Sequence, residues 1–164
     1  LADDTERRQL PDVRPSLKII RQYIKDISFE SPHLPEFMSA NVAAREDMEI
    51  GCVVVEITPD MFEVSLLIQG RATRNQLIGH ILEFTYSGFF NMSNFPPEQV
   101  APALHIEGAE LLFPSARKIL MHLLQANGFP FRMKPTLDFV QVYADRLAKG
   151  APPITRPARR SPAA

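Results

Sequence analysis

The stretch from Leu77 to Met92 is apolar on both faces that an extended chain can present. A β-strand turns successive side chains to opposite sides of its sheet. Ile78, His80, Leu82, Phe84 and Tyr86 therefore share one face, and Ile81, Glu83 and Thr85 share the other, to which Leu77 also belongs. A sheet that contains this strand needs cover on two sides. The rest of the chain decides how much cover there is.

Three further runs read as strands. Leu17 to Phe29 alternates imperfectly, with Leu17, Ile19, Tyr23, Ile27 and Phe29 on one parity and Asp26, Ser28 and Glu30 on the other. Met48 to Ile57 holds the β-branched run Val53, Val54, Val55, and Thr58-Pro59-Asp60 then turns the chain. Phe62, Val64, Leu66 and Ile68 alternate with Glu63, Ser65, Leu67 and Gln69. The short links predict antiparallel neighbours for the last three runs.

The period then lengthens. Ser115 to Asn127 sets Ala116, Ile119, Leu120, Leu123 and Leu124 at helical spacing, with Pro114 suited to a first turn and Gly128 to a stop. A kinked helix beginning nearer Gly108 is the alternative. Thr136 to Leu147 predicts a second helix, with Phe139, Val140, Tyr143 and Leu147 along one side. Strands first and helices last make an α+β fold: a four-stranded antiparallel sheet followed by two C-terminal helices. Two helices cannot cover both faces of such a sheet. Apolar burial is worth about 25 cal/mol per Å², and an uncovered apolar face invites association. The pattern therefore predicts self-association with closed symmetry. Residues 1–16, charged and containing Pro11 and Pro15, read as a flexible arm. Residues 17–149 read as the folded domain, and residues 150–164 as a disordered, basic, Pro-rich tail.

Composition narrows the function classes. A length of 164 residues suffices for one domain with a real core. The net charge of -1 offers no field to attract nucleic acid. Removing Arg156, Arg159 and Arg160 of the tail leaves -4 on residues 1–150, a mild acidic bias. The lone Cys52 excludes an internal disulfide and a multi-cysteine zinc site, and reads as a small buried hydrophobe. No apolar run approaches the roughly 20 residues of a membrane span, so no direct membrane insertion is expected. The charged start, with Asp3, Asp4, Glu6, Arg7 and Arg8, is unlike a signal peptide, and the expected address is cytoplasmic. His33, His80, His105 and His122 are scattered, without the i, i+4 spacing of a helical metal site. His105 and Glu107 fall in a segment that reads as a loop. There is no glycine-rich phosphate loop, serine nucleophile elbow or Cys-His pair. No catalytic residue, metal or cofactor is expected.

Two stretches carry a resemblance. Tyr23-Ile24-Lys25-Asp26-Ile27-Ser28-Phe29-Glu30 runs into Ser31-Pro32. Leu111-Leu112-Phe113-Pro114-Ser115-Ala116-Arg117 is followed by Gly128-Phe129-Pro130, Pro135 and Phe139. Both resemble the SecB family of bacterial protein-export chaperones, and Glu83-Phe84 with Gly88-Phe89-Phe90 is similar to that family's fourth strand. The resemblance implies a homotetramer built as a dimer of dimers, with the first helix at its centre. It implies an ATP-independent holdase that binds unfolded preproteins and hands them to the SecA motor. The family's SecA-contacting residues fall on Asp26, Glu30 and Glu83, with an apolar contact on Ile81. Phe29, Phe84, Tyr86, Phe89 and Phe90 are candidates for the client groove or a subunit interface. Ile119, Leu120, Leu123 and Leu124 are candidates for the tetramer interface. Three features depart from the family: Ser115 where an aromatic is usual, Gly108-Ala109 in place of Cys-Pro, and a basic rather than acidic tail. Two other functions fit the bare sequence. One is a solitary SecB-like chaperone for a dedicated unstable partner such as an antitoxin; the other is a small-ligand-binding protein.

Overall fold

The computed structural model of the chain describes residues 13–156. Four long strands form one antiparallel sheet in the order β1-β4-β3-β2. They are β1 (Ser16–Glu30), β2 (Arg45–Thr58), β3 (Met61–Arg74) and β4 (Leu77–Ser93). The two hairpin links are as short as the sequence predicts. Asn75 and Gln76 between β3 and β4 both take positive φ, 49° and 64°, which matches the twist of the flanking strands. β1 pairs with β4, so the first strand lies beside the last, and α1 (Leu34–Ser39) belongs to the crossover that carries the chain from β1 to β2 at the opposite edge.

The helices cover one face only. The even-numbered residues of the two central strands, Phe62, Val64, Leu66, Ile68, Leu82, Phe84, Tyr86 and Phe90, are buried there with Cys52 and Val54 of β2. Above them runs a long interrupted rod: α2 (Pro97–Ala103), a π-helical turn at Leu104–Gly108, and α3 (Ala109–Ala126). The helix therefore begins well before Ser115, and Pro102 and Pro114 both lie inside it. The wide turn follows Pro102 directly. Proline removes a donor and crowds the preceding turn, and a widened π turn re-spaces the backbone. His105 sits in this turn, only 1% exposed, rather than in a loop. The final helix, α4 (Phe139–Ala148), starts where the Asp138 carboxylate accepts from the Gln141 N–H at 3.0 Å. No helix among the described residues is long and apolar enough to cross a membrane.

Small residues let the rod close on the sheet. A Cβ on Gly88 would lie 2.7 Å from Leu112 Cδ2, and one on Gly108 would lie 3.4 Å from Val64. Leu112 is fully buried in the seat that Gly88 leaves.

Register shifts interrupt the simple alternation at Ile19/Arg21, Ile24/Asp26, Glu56/Thr58 and Ala72/Thr73, and two of them reassign residues. The register shift between Ile24 and Asp26 makes Lys25 an extra residue. Tyr23 consequently stands opposite Ser87 on the uncovered face, and not with Ile27 and Phe29. The shift between Ala72 and Thr73 leaves Gly79 extra, and this returns Leu77 to the cluster of Phe37, Ala72, Leu124 and Phe129 on the helix side. Residues 150–156 also differ from the expectation of a free tail, because they run back to β2. Residues 1–12 of the expected arm and 157–164 of the expected tail lie outside the described residues.

Gly88→Ala should lower stability by about 1–3 kcal/mol by forcing Leu112 from its seat. A lower urea midpoint at unchanged slope would record it.

Candidate functional site

The uncovered face of the sheet carries the first candidate surface. Glu83 pairs with Ser28, Thr85 with Asp26 and Ile81 with Glu30 across β1 and β4. Directly paired residues share a face, so Asp26, Glu30, Ile81 and Glu83 come together on one side. The three carboxylates are exposed and Ile81 is half-buried. The same rows continue outward through Arg71 and Gln69 of β3 to Asp47 and Glu49 of β2. A shallow cavity of about 270 Å³ lies among Asp47, Glu49, Arg71, Ile81 and Glu83. Sequence reasoning missed Asp47 and Glu49. Their shared parity was visible, but their neighbourhood with Glu83 passes through β3.

The far half of this face is locked rather than open. Glu63 is 8% exposed and accepts hydrogen bonds from the Tyr23 hydroxyl and the Lys25 ammonium, which reach across β4. Small residues make room for them: Ser65 and Ser87 share a 2.7 Å hydrogen bond beneath. Burial pushes the Glu63 carboxyl upward, but the hydrogen bonds from Lys25 and Tyr23 outweigh it and hold the group below its usual range. Burial, and then the Glu63 hydrogen bond, push the Tyr23 phenol up.

A cleft at one end of the sheet forms the second candidate surface. Phe37 of α1 is 2% exposed and seats on Gly79, whose Cβ would come within 2.8 Å of the ring. Arg74 at the end of β3 pins this crossover. It donates to the carbonyls of Phe37 (2.8 Å) and Ala40 (3.2 Å), with its guanidinium 4.6 Å from the Phe37 ring centre. Gly128, at φ 78°, turns the chain out of α3 and brings Phe129 between His80 (4.6 Å between ring centres), Phe37 (6.0 Å) and Phe29 (6.3 Å). Arg117 of α3 holds the following loop by donating to the carbonyls of Met133 and Lys134, and covers the Phe131 ring at 5.0 Å. The result is a cleft of about 700 Å³ lined by Phe37, Met38, Ala43, Ala44, Glu46, Arg74, Phe129, Pro130 and Arg132. An adjoining cavity of about 170 Å³ touches His80, Leu124 and Met133.

The structure distributes the aromatic candidates unevenly. Phe84, Tyr86 and Phe90 belong to the core of the chain itself, because their even parity turns them under α3, so they offer no surface to a client here. Phe89 is half-buried on the open face, 5.5 Å from Tyr23 between ring centres. Phe29 is half-buried beside the cleft. Among the helix candidates, Leu120 and Leu124 are closed into the chain's own core, while Ile119 and Leu123 stay half-buried. Leu111, about two turns earlier, is 47% exposed. Cys52 is buried, and burial pushes its thiol up to about 12, far from a reactive thiolate. Among the described residues, no three His, Cys, Asp or Glu side chains gather as a metal site.

Two imidazoles are buried with an Nδ1 that lacks a partner, His80 beside the cleft and His105 under the chain end. Burial lowers both below the ordinary imidazole value of 6.5. At His105 the Pro153 carbonyl opposes this and the Arg146 charge reinforces it. Above that value both rings are neutral in folded and unfolded chains alike. Below it the unfolded chain takes up protons first, so stability falls with pH until the folded-state values are passed. Urea unfolding should therefore show lower stability at about pH 5.5 than at about pH 7.5, and His80→Gln or His105→Gln should each flatten the difference.

Comparison with known proteins places the chain among similar sequences of one group. A family model described as "Preprotein translocase subunit SecB" matches residues 11–150. The Bradyrhizobium protein named protein-export protein SecB is 34% identical over 138 residues, covering 84% of this chain and 85% of the relative. The Agrobacterium fabrum protein of the same name is 36% identical, covering 84% and 86%. That of Hyphomonas neptunium is 35% identical, covering 87% and 86%. Among solved structures, the SecB-like chaperone of Mycobacterium tuberculosis, in complex with a ChAD peptide from the HigA1 antitoxin, shares the fold. Its TM-score is 0.60 at 14% identity, covering 74% of this chain and 91% of that one.

Proposed function

The chain belongs to the SecB family of preprotein translocase subunits, and from that premise we infer that it acts as a protein-export chaperone. The family match across residues 11–150 is the observation that carries the reading. In detail, the protein is an ATP-independent holdase of the cytoplasm, with no catalytic residue and no cofactor. It keeps unfolded presecretory polypeptides from folding or aggregating and yields them to SecA.

The geometry supports a division of labour. Phe37 and Phe129 are buried in the wall of the cleft, and its exposed apolar lining, Met38, Ala43, Ala44 and Pro130, suits apolar side chains of an extended client, with Met38 a soft, adaptable surface. Arg74 and Arg117 hold its walls through backbone carbonyls, so the cleft keeps its shape whatever the client sequence. The exposed carboxylates Asp26, Glu30 and Glu83 around Ile81 form the docking face for SecA. Such charges act mainly on encounter rate and salt sensitivity. Self-association as a dimer of dimers covers what one chain leaves open. β1 is an edge strand with Ile20, Ile24 and Ile27 at 61%, 46% and 41% exposure, and Leu111, Ile119 and Leu123 lie along the outer side of α3. Identities of 34–36% to export proteins, against 14% to a chaperone bound to an antitoxin peptide, favour export over a dedicated single partner.

Two experiments test this reading. Aggregation of a slow-folding preprotein should be suppressed without ATP, by a particle of about four times the 18.5 kDa chain mass in light scattering. A monomer without effect on aggregation would remove the proposal. Charge reversal, Asp26→Lys or Glu83→Lys, should weaken SecA binding by roughly 1–2 kcal/mol and reduce its salt dependence while leaving client holding intact. Unchanged SecA affinity in both variants would remove these residues from the docking face.

A further inference from the structure

After α4 the chain turns at Gly150 (φ 73°) and runs back to the outer edge of β2. The Thr155 N–H donates to the Val54 carbonyl and the Glu56 N–H donates to the Thr155 carbonyl, both at 2.9 Å. This is a parallel bridge centred on Val55. Arg156 Nε lies 2.9 Å from the Glu56 carboxylate. Upstream, Arg146 donates to the Pro152 carbonyl at 2.8 and 3.1 Å, and His105, stacked on Tyr143, hydrogen-bonds the Pro153 carbonyl. Ile154 packs against the main core. The segment is thus held at both ends, yet it joins the sheet at one residue.

Proline explains why it joins only there. In an extended segment every second residue faces the neighbouring strand. The residues that would face β2 next are Pro153 and Pro157, and neither has an N–H to donate. Among the described residues the ladder therefore stops at Thr155. β2 itself is a strand of fourteen residues at the edge of the sheet, and an uncovered edge is a template for further pairing. The segment's hold on β2 itself is slight, one bridge, an exposed ion pair of little strength and flanking prolines, while Arg146, His105 and the seat of Ile154 tether it from the helix side.

We propose that the outer edge of β2 is a strand-addition site for extended polypeptide, and that Pro152–Arg156 is a resident occupant which an unfolded client displaces. The proposal rests on the holdase reading above. Backbone pairing suits such a site because any sequence without proline can supply it. A client strand of ordinary composition continues the ladder along β2, where the resident segment stops. Glu56 becomes free to meet a basic residue of the client once Arg156 leaves.

The test uses the full chain, its Thr155→Pro and Arg156→Glu variants, and one probe: fluorescently labelled, reduced and carboxymethylated α-lactalbumin, a permanently unfolded polypeptide. Thr155→Pro removes the donor to Val54, and Arg156→Glu sets like charges against each other at the exposed end. Both variants should bind the probe roughly three- to tenfold more tightly, because the competent state is no longer masked. In the wild-type protein, saturating probe should speed amide exchange in residues 150–156 while the Glu56 amide stays protected. Equal affinities with unchanged exchange in the tail, while the wild-type protein still binds the probe, would overturn the strand-addition site alone. Failure of all three proteins to bind would overturn the holdase reading together with it. Tighter self-association of the variants without tighter probe binding would also overturn the proposal, by assigning the edge to a second copy.

Discussion

Closure of one helical rod onto one face of one sheet is the constraint on which the rest depends. The even-numbered residues of β3 and β4 are buried under α3, and Gly88 and Gly108 set how closely the rod can approach. Burial at about 25 cal/mol per Å² makes this face the main source of stability. The chain has no second layer for the other face among its described elements. That face is therefore left to carry charge, to lock itself with side chains, or to meet another molecule.

It does the first two in different halves. Near Glu83 the carboxylates of β1, β4 and β2 gather around Ile81, those of Asp26, Glu30 and Glu83 exposed. Near Glu63, Tyr23 and Lys25 bridge two strands and seal a buried carboxylate over a pair of serines. A buried anion is costly without partners, and the two donors offset that cost. The contrast separates a rigid polar patch from a surface open to a partner. At the sheet end, Arg74 and Arg117 fix the segments around the cleft by holding backbone carbonyls.

Several elements were legible in the residues because they follow a short period. The four strands, their hairpin order and the acidic parity of Asp26, Ser28 and Glu30 all come from alternation by two, and the structure keeps them. The places where reading by period failed are places where one residue breaks it. Lys25 moves Tyr23 to the other face, and Gly79 returns Leu77 to the core. Pro114 suggested a helix start, yet the rod begins at Pro97. Contacts with the sheet outweigh the cost of a proline inside the helix, and α3 runs through Pro114. The tail composition suggested disorder, yet Thr155 and Ile154 find partners that lie about a hundred residues earlier or in the core.

The sequence by itself determined the α+β class, the strand set, the helix-facing stripe of α3 and the family, because each is written in local period or in contiguous motifs. Tertiary structure alone decided which aromatics are hidden, how Asp47 and Glu49 join Glu83, how Arg74 and Arg117 build a cleft, and where the chain end attaches. Those outcomes depend on strand order, on single-residue bulges and on contacts between segments far apart in the chain. A period read along one segment holds no information about its neighbour across the sheet.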